Sequence, residues 1–241
     1  GGGVAQVVKA PGAPQKPSSG SSDVQVASFH RASRLHFLGT WRERFEQWRK
    51  SADQGGVCPG IVSQLRRDLK SASSAPGFAA PSAEYWAHLD MDCFFASVAT
   101  RGLPEGDAMP TAVTSGVGST SEICSANYAA RAHGVTTALW TVQRAMEVLP
   151  TLRIIPVSEE LLRAVEAAWQ QVYQLLLVAC DGEAGRVLMR SCDEASLRVP
   201  RCMEALSWAR AIRAAVRSQT GCSCSVGFGP SQVVAKLAVK V

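Results

Sequence analysis

The sequence predicts a mixed fold of the α/β or α+β class, in which one sheet is backed by two long helices. Residues 159–178 and 202–217 repeat apolar side chains at spacings of three and four, the period of an amphipathic helix. Six apolar runs have the length of strands: 85–89, 111–114, 153–157, 186–191, 194–199 and 223–229. Strands that alternate with helices along a chain are typical of a sheet covered by helices.

The N-terminal third differs from the rest in composition and charge. Residues 1–27 are rich in Gly, Pro and Ser without an apolar period, so we predict a disordered linker, and residues 28–84 are predicted to form a helical extension and connector. Residues 1–84 carry 11 Lys and Arg against 6 Asp and Glu, whereas residues 85–241 carry 14 of each. A basic arm on a neutral domain suits contact with nucleic-acid phosphates, and a solubilising tail is the alternative.

A small insertion is predicted between the first strand and the helix at 159–178. Residues 104–120 are rich in Gly, Ser and Thr, and residues 122–133 then predict a short helix that Gly134 closes. We therefore interpret residues 102–155 as a separate subdomain within the larger one.

The composition argues against three kinds of protein. No run of 18 apolar residues occurs, so we predict no membrane partner. The eight cysteines lack an even spacing, which favours a reducing compartment over a disulfide framework. Four dispersed histidines and the lack of a Cys-x-x-Cys pair argue against a zinc site.

Two acidic pairs stand at the ends of predicted strands, about a hundred residues apart in the chain. They are Asp90 with Asp92, and Asp193 with Glu194. Clustered carboxylates raise each other's pKa unless a cation compensates, so convergence of the two pairs predicts a magnesium site. Two such ions on phosphate oxygens indicate phosphoryl transfer, whereas a capped turn is the alternative for either pair alone.

Four motifs occur in an order and spacing that resemble the Y-family translesion DNA polymerases: LDMDCFFASV at 89–98, SEICSANYAARAHGV at 121–135, SCDEASL at 191–197 and SVGFGPSQVVAKLA at 225–238. The resemblance implies an α+β polymerase palm at 85–101 and 156–241, with fingers at 102–155. A fifth motif, SRLHFLGTW at 33–41, resembles the extension of one branch, the eukaryotic deoxycytidyl transferases. The thumb and little finger of the family are expected to be absent from a chain that ends at Val241.

The resemblance implies the residues of a metal site and a sugar gate. Asp90, Asp193 and Glu194, with the Met91 carbonyl, are expected to hold two Mg²⁺ ions. Asp92 is left out of this set, because the second Asp of the motif is usually a structural acceptor in the family. Phe95 is expected to lie under the incoming sugar, where it would exclude a 2′-hydroxyl.

A triphosphate clamp is implied by the second and fourth motifs. Tyr128 and Arg131 lie three residues apart, hence on one face of the predicted helix, and Ser125 is expected to complete that face. Lys236 matches a further cationic phosphate contact as a point charge, and a solvated lysine is its alternative.

Arg34 and Leu35 match the pair that separates the deoxycytidyl transferase branch from other bypass polymerases. A guanidinium offers only donors, which suit the adjacent acceptors O2 and N3 of cytosine, so Arg34 is expected to select dCTP. Leu35 is expected to occupy the space of an evicted template guanine. An ordinary amphipathic helix from Phe29 to Trp48 is the alternative.

The function expected from this resemblance is the addition of dCMP to a primer 3′-end opposite guanine or a damaged base. Its partners would be primer–template DNA and dCTP, together with other translesion polymerases bound through regions outside this chain. The nucleus would be its location. The alternatives are a conventional Y-family polymerase that reads its template by base pairing, a nucleotide cyclase, and an inactive DNA-bound scaffold.

Overall fold

A computed structural model describes residues 33–51, 56–73, 84–137, 140–200 and 204–240. The described residues divide into two compact units, of which the first lies within 33–40 and 93–165 and the second within 41–92 and 166–240. Mixed helix and sheet confirm the predicted fold class. The linker predicted at 1–27 lies outside the described residues, and the subdomain boundaries stay a prediction.

The described residues form helices and strands with the following bounds. The helices are α1 Arg34–Gly39, α2 Trp41–Lys50, α3 Pro59–Ser73, α4 Phe94–Thr100, α5 Tyr128–Ala132, α6 Val142–Val148, α7 Glu159–Ala179, α8 Ala205–Thr220 and α9 Gln232–Ala238. The strands are β1 Glu84–Met91, β2 Thr111–Thr114, β3 Ile123–Ala126, β4 Arg153–Pro156, β5 Val187–Met189, β6 Glu194–Pro200 and β7 Cys224–Gly229. Helices α7 and α8 are the two long helices that the apolar period predicts.

The second unit is built on an antiparallel sheet with the strand order β5-β6-β1-β7. Alternate residues of β1 face opposite sides, so Ala87 and Leu89 are buried on the face away from Asp90. Helix α8 buries Trp208, whose ring lies 5.9 Å from that of Phe228 on β7. The unit therefore has an apolar core on one face of the sheet and leaves the other face for polar side chains.

Two glycines let α9 pack directly on the polar face of β7. A Cβ atom on Gly227 would lie 2.7 Å from the Val239 nitrogen, and one on Gly229 would lie 2.7 Å from the Ala235 nitrogen. Contacts of this length do not occur, so any larger residue would push α9 off the strand. This close approach places Lys236 of α9 over the end of β6.

Helix α2 attaches to α7 through aromatic rings of the second unit. Trp41, Phe45 and Trp48 lie one turn apart on α2 and contact Trp169 and Tyr173, with ring centres 5.1 to 6.0 Å apart. Edge-to-face aromatic pairs of this kind add stability beyond the area that they bury. In place of the single helix considered from Phe29 to Trp48, the described residues 34–50 form two helices, which part between Gly39 and Trp41.

The first unit contains a three-stranded sheet, β3-β2-β4, in which β2 runs antiparallel to β3 and parallel to β4. The helix predicted over 122–133 is wrong in its first half, because Ile123–Ala126 pairs with β2 as a strand. Asn127 explains the boundary: its side chain accepts from the Ala130 N–H as an N-cap and donates to the Met109 carbonyl. Helix α5 therefore begins at Tyr128.

Candidate active site

The two acidic segments predicted to converge are neighbours in the sheet of the second unit. Asp90 on β1 lies directly opposite Glu194 on β6 and opposite Ser225 on β7. The Met91 N–H donates to the Asp193 carbonyl at 2.9 Å, which fixes the backbone of that segment against the end of β1. The structure therefore brings Asp90, Asp193 and Glu194 together at one edge of the sheet.

The ionised form of Asp90 is destabilised by its surroundings in this cluster. Burial raises the pKa of Asp90 to about 6, and the charges of Glu194, Asp193 and Asp92 add to the shift, whereas Lys236 opposes it. Like charges directly opposite each other in a sheet are destabilising. A divalent cation would remove this cost, so the oxygen donors present here fit the metal that the sequence predicts.

The other carboxylates of the cluster are held by protein groups. Glu194 Oε2 accepts from Lys236 Nζ at 2.6 Å, and Asp193 Oδ1 accepts from Ser191 Oγ. Within the described part of the chain, no three His, Cys, Asp or Glu side chains are arranged as a metal site. Lys236 thus occupies Oε2 of Glu194, one of the two oxygens that this carboxylate could offer to a metal.

Asp92 belongs to the turn after β1 and is tied to β7. Its Oδ1 accepts from Ser225 Oγ at 2.8 Å, and its N–H donates to the Ser223 carbonyl at 3.0 Å. These contacts suit the structural role that the sequence predicts for it.

Cys93, the next residue, has a φ of +48°, a conformation that costs energy for a residue with a Cβ. Strain of this kind often marks a functional segment.

A buried polar group next to Glu194 was missed by the sequence reasoning. His88 lies 1% exposed on the same face as Asp90, and its Nδ1 is 3.1 Å from Ser196 Oγ. Burial lowers the pKa of His88; Glu194 opposes this shift, and the charges of Lys236 and Arg190 add to it. The sequence does contain a signal for it: residues two apart in a strand lie on the same face, and His88 comes two residues before Asp90.

The predicted sugar and base contacts lie in the first unit. Phe95 on α4 is 3% exposed, and its ring lies 6.2 Å from Phe37 in an edge-to-face arrangement. Arg34, the first residue of α1, places its Cζ 5.2 Å from the centre of the Phe95 ring. Its Nε is buried and has no hydrogen-bond partner among the described residues. Leu35, in contrast, is 79% exposed.

The predicted triphosphate contacts are partly brought together. Tyr128 and Arg131 share a face of α5, and the Arg131 Cζ lies 5.7 Å from the centre of the Tyr128 ring. Ser125 does not complete this face, because it belongs to β3 and is buried. Its Oγ accepts from the Ala96 N–H and donates to the Cys93 carbonyl, both at 3.3 Å. It therefore anchors the start of α4 in this structure.

Comparison with known proteins identifies the family. Residues 89–240 match the impB/mucB/samB family. The chain belongs to this family, the Y-family DNA polymerases. The family predicted from the four motifs is confirmed. No helix in the described residues of this Y-family chain is both long enough and apolar enough to cross a membrane.

The Y-family chain resembles two DNA repair proteins over most of its length. The DNA repair protein REV1 of Arabidopsis thaliana is 34% identical over 220 residues, which are 90% of this chain and 18% of that protein. The DNA repair protein rev1 of Schizosaccharomyces pombe is 30% identical over 219 residues, 89% of this chain and 21% of that protein. The chain thus spans about a fifth of the length of these relatives.

Solved structures of Y-family polymerases share the fold. The crystal structure of DinB from Sulfolobus solfataricus is 25% identical with a TM-score of 0.56, and the match covers 65% of this chain and 45% of that one. The insertion ternary complex of Dbh DNA polymerase has the same identity, TM-score and coverage. The palm and fingers architecture expected from the motifs is confirmed.

The raised pKa of Asp90 predicts a measurable effect on the stability of the Y-family chain without metal. Because the folded state binds this proton more tightly, the cost of ionised Asp90 is full above pH 6 and disappears below pH 4. Asp90→Asn should therefore raise the free energy of unfolding by on the order of 1 kcal/mol at pH 7.5, after allowance for solvent screening. Urea unfolding measures it.

The matched control for this experiment is Glu147→Gln, which removes an exposed carboxylate on α6 and keeps an oxygen that can accept from Gln143. It should change the free energy of unfolding at pH 7.5 far less than Asp90→Asn does. Addition of Mg²⁺ should stabilise the wild-type chain more than Asp90→Asn. Equal free energies of unfolding of wild type and Asp90→Asn at pH 7.5 would show that the charge on Asp90 does not destabilise the folded chain.

Proposed function

We propose that this chain is the catalytic part of a translesion DNA polymerase that transfers a nucleotide to a primer 3′-end. The cluster at the ends of β1 and β6 carries the proposal, because Asp90 faces Glu194 across the sheet and its pKa is raised to about 6. Three carboxylates, those of Glu194, Asp193 and Asp92, raise the pKa of Asp90, and Lys236 opposes them. A cluster of carboxylates with too little positive charge is suited to bind divalent cations, and such cations can in turn bind phosphate oxygens.

Two magnesium ions are the proposed cofactors, held by Asp90, Asp193, Glu194 and the Met91 carbonyl oxygen. Bound there, the ions would offset the triphosphate charge and lower the pKa of the primer 3′-hydroxyl. In the proposed reaction the 3′-hydroxyl gives its proton to solvent and its oxygen attacks the α-phosphorus. The bond from the α-phosphorus to the oxygen that bridges to the β-phosphorus breaks, and pyrophosphate leaves. Lys236 would move from Glu194 to the triphosphate, because a triphosphate carries more negative charge than one carboxylate and attracts a compact ammonium more strongly.

The proposed nucleotide is dCTP, selected by Arg34 rather than by the template base. The buried Nε without a partner supports this proposal, because an unpaired buried donor is costly until an acceptor arrives. Cytosine presents O2 and N3 as adjacent acceptors, whereas thymine has an N–H at N3. The exposed Leu35 beside Arg34 is the proposed wedge for an evicted template guanine.

The remaining contacts are proposed for the sugar and the triphosphate. Phe95 would exclude a 2′-hydroxyl, and its packing against Phe37 supports a fixed ring that cannot yield to an added oxygen. Tyr128 and Arg131 would bind the triphosphate: Arg131 Nε donates to the Ala126 carbonyl at 2.9 Å, which holds the guanidinium, and its two Nη groups would supply the donors. For Ser125 we keep nucleotide binding as a proposal, exerted through its anchoring of α4.

Primer–template DNA, other translesion polymerases and a nuclear location complete the proposal. REV1 relatives named as DNA repair proteins in a plant and a yeast support the nuclear location. The Dbh complex described as an insertion ternary complex supports binding of DNA and nucleotide. Contacts with other polymerases would use regions beyond this chain.

Single-nucleotide insertion by the wild-type protein tests the function. Each of the four dNTPs is offered opposite each template base and opposite an abasic site. We expect dCTP to be preferred on every template, because a protein side chain does the reading. Insertion that follows the template base would support a conventional Y-family polymerase instead. Binding of DNA without any insertion would support an inactive scaffold.

A further inference from the structure

The strongest unexplained feature of the second unit is the unpaired ring nitrogen of His88. Its Nε2 is fully buried and has no hydrogen-bond partner among the described residues. An anionic group close to it is the carboxylate of Glu194, whose Oε2 lies 4.0 Å away. That distance is too long for a hydrogen bond but needs only a small movement of the carboxylate to become one.

The neighbours of the His88 ring favour one of its two neutral tautomers. Arg190 Nε lies 3.4 Å from Ser196 Oγ, and arginine can only donate, so Ser196 must accept this bond. The hydroxyl proton of Ser196 then needs its own acceptor. Within the described residues the group at hydrogen-bond distance from it is His88 Nδ1, at 3.1 Å. A hydroxyl that donates to Nδ1 leaves the proton of the neutral ring on Nε2, and the proposal below depends on this tautomer.

The Arg190 side chain that donates to Ser196 is itself held by a second hydrogen bond. Its Nη2 donates to Gln232 at the start of α9, so the guanidinium bridges the loop before β6 and the helix that carries Lys236. A series of hydrogen bonds thus runs from Gln232 through Arg190 and Ser196 to His88. It ends at the Nε2–H of His88, which lies 4.0 Å from Glu194 Oε2. Side chains that orient a metal-binding ligand through such bonds are typical of metal sites.

We propose that His88 is a positioning residue that donates its Nε2–H to Glu194 when Lys236 leaves that carboxylate. In the structure Glu194 Oε2 lies 2.6 Å from Lys236 Nζ and 4.0 Å from His88 Nε2. After Lys236 departs, Glu194 would be free of its cation, and the His88 N–H would hold one carboxylate oxygen while the other faces the metal. This exchange rests on the proposed function, in which Lys236 moves to the triphosphate.

The first test needs neither metal nor turnover. Nitrogen-15 NMR of the metal-free chain reports the tautomer of each of its four histidines, and loss of one signal set in His88→Gln assigns His88. We expect the Nε2–H tautomer. In Lys236→Ala the Nε2 proton should move downfield and exchange more slowly, because Glu194 becomes its acceptor. The control is Lys240→Ala, which removes a nearby charge that does not contact Glu194.

The second test measures binding of Mn²⁺ alone by electron paramagnetic resonance. His88→Leu should weaken Mn²⁺ binding about 10-fold or more, the usual cost of losing a group that orients a metal ligand. His88→Gln keeps an N–H donor near the same place and should restore binding to within about 3-fold of wild type. Rescue by glutamine separates positioning from packing, since leucine fills the site without donating.

The outcomes distinguish this proposal from the proposed function. An Nδ1–H tautomer, or an Nε2 proton that Lys236→Ala leaves unmoved, would overturn the role of His88 whatever the enzyme does. Equal Mn²⁺ affinity in wild type and folded His88→Leu would overturn it too. A wild-type chain that binds no Mn²⁺ would overturn the proposed metal site, and the NMR arm would still decide the role of His88.

Discussion

Asp193→Ala is expected to abolish nucleotide insertion while leaving the fold intact. Asp193 precedes β6 and is half-buried, and its backbone carbonyl already accepts from the Met91 N–H. Substitution to alanine keeps this backbone bond and removes only the carboxylate. A metal-bound transition state owes several kcal/mol to its ligands, so insertion should fall about 10³-fold or more.

Primer extension with dCTP measures this effect, and circular dichroism with thermal unfolding verifies the fold. Asp92→Asn is the matched control, because the amide oxygen can still accept from Ser225 Oγ. We expect that variant to lose far less activity than Asp193→Ala. Near wild-type insertion by Asp193→Ala would refute the assignment of the carboxylate cluster as the catalytic centre.

Arg34→Ala should remove the preference for dCTP opposite every template. A bidentate contact of this type contributes about 1–3 kcal/mol of base discrimination, which corresponds to a factor of about 5 to 150 in nucleotide choice. The fold should survive, because Phe37 of the same helix supplies the buried contact to Phe95. Arg42→Ala, on the exposed face of α2, is the matched control and should leave nucleotide choice unchanged.

Leu35→Ala tests the eviction of the template base separately from the selection of dCTP by Arg34. It should slow insertion opposite an intact guanine, where a base must be evicted at a cost of a few kcal/mol. Opposite an abasic site there is no base to evict, and the rate should stay close to that of the wild type. Arg34→Ala that still prefers dCTP opposite adenine would show that another group selects the nucleotide.

The sequence pattern predicts the elements of the second unit well, because each is a local property. The apolar period of α7 and α8 extends over three or more turns, and the strand at Asp90 is apolar up to its acidic end. Residues 122–133 show where the pattern fails. The same short segment can pair as a strand or coil as a helix, and the partner strand β2 decides its first half.

The candidate site shows the same division between chemistry and geometry. The motifs name Asp90, Asp193 and Glu194, and the register of β1 against β6 makes two of them direct neighbours. Lys236 was predicted as a phosphate contact, yet the structure pairs it with Glu194. A sequence can indicate which groups are charged, whereas the partner of each charge depends on packing between segments more than forty residues apart.

By itself the sequence determined the family, the mixed fold and the residue types of the carboxylate cluster, since these depend on local period and on the order of motifs. Only the tertiary structure decided three further points: the stress on Asp90, the burial of Ser125 and the unpaired Nε2 of His88. The physical reason is that strand register and helix approach are set by close packing. Gly227 and Gly229 bring α9 onto β7, and that contact, invisible in any local pattern, places the cation that Glu194 binds.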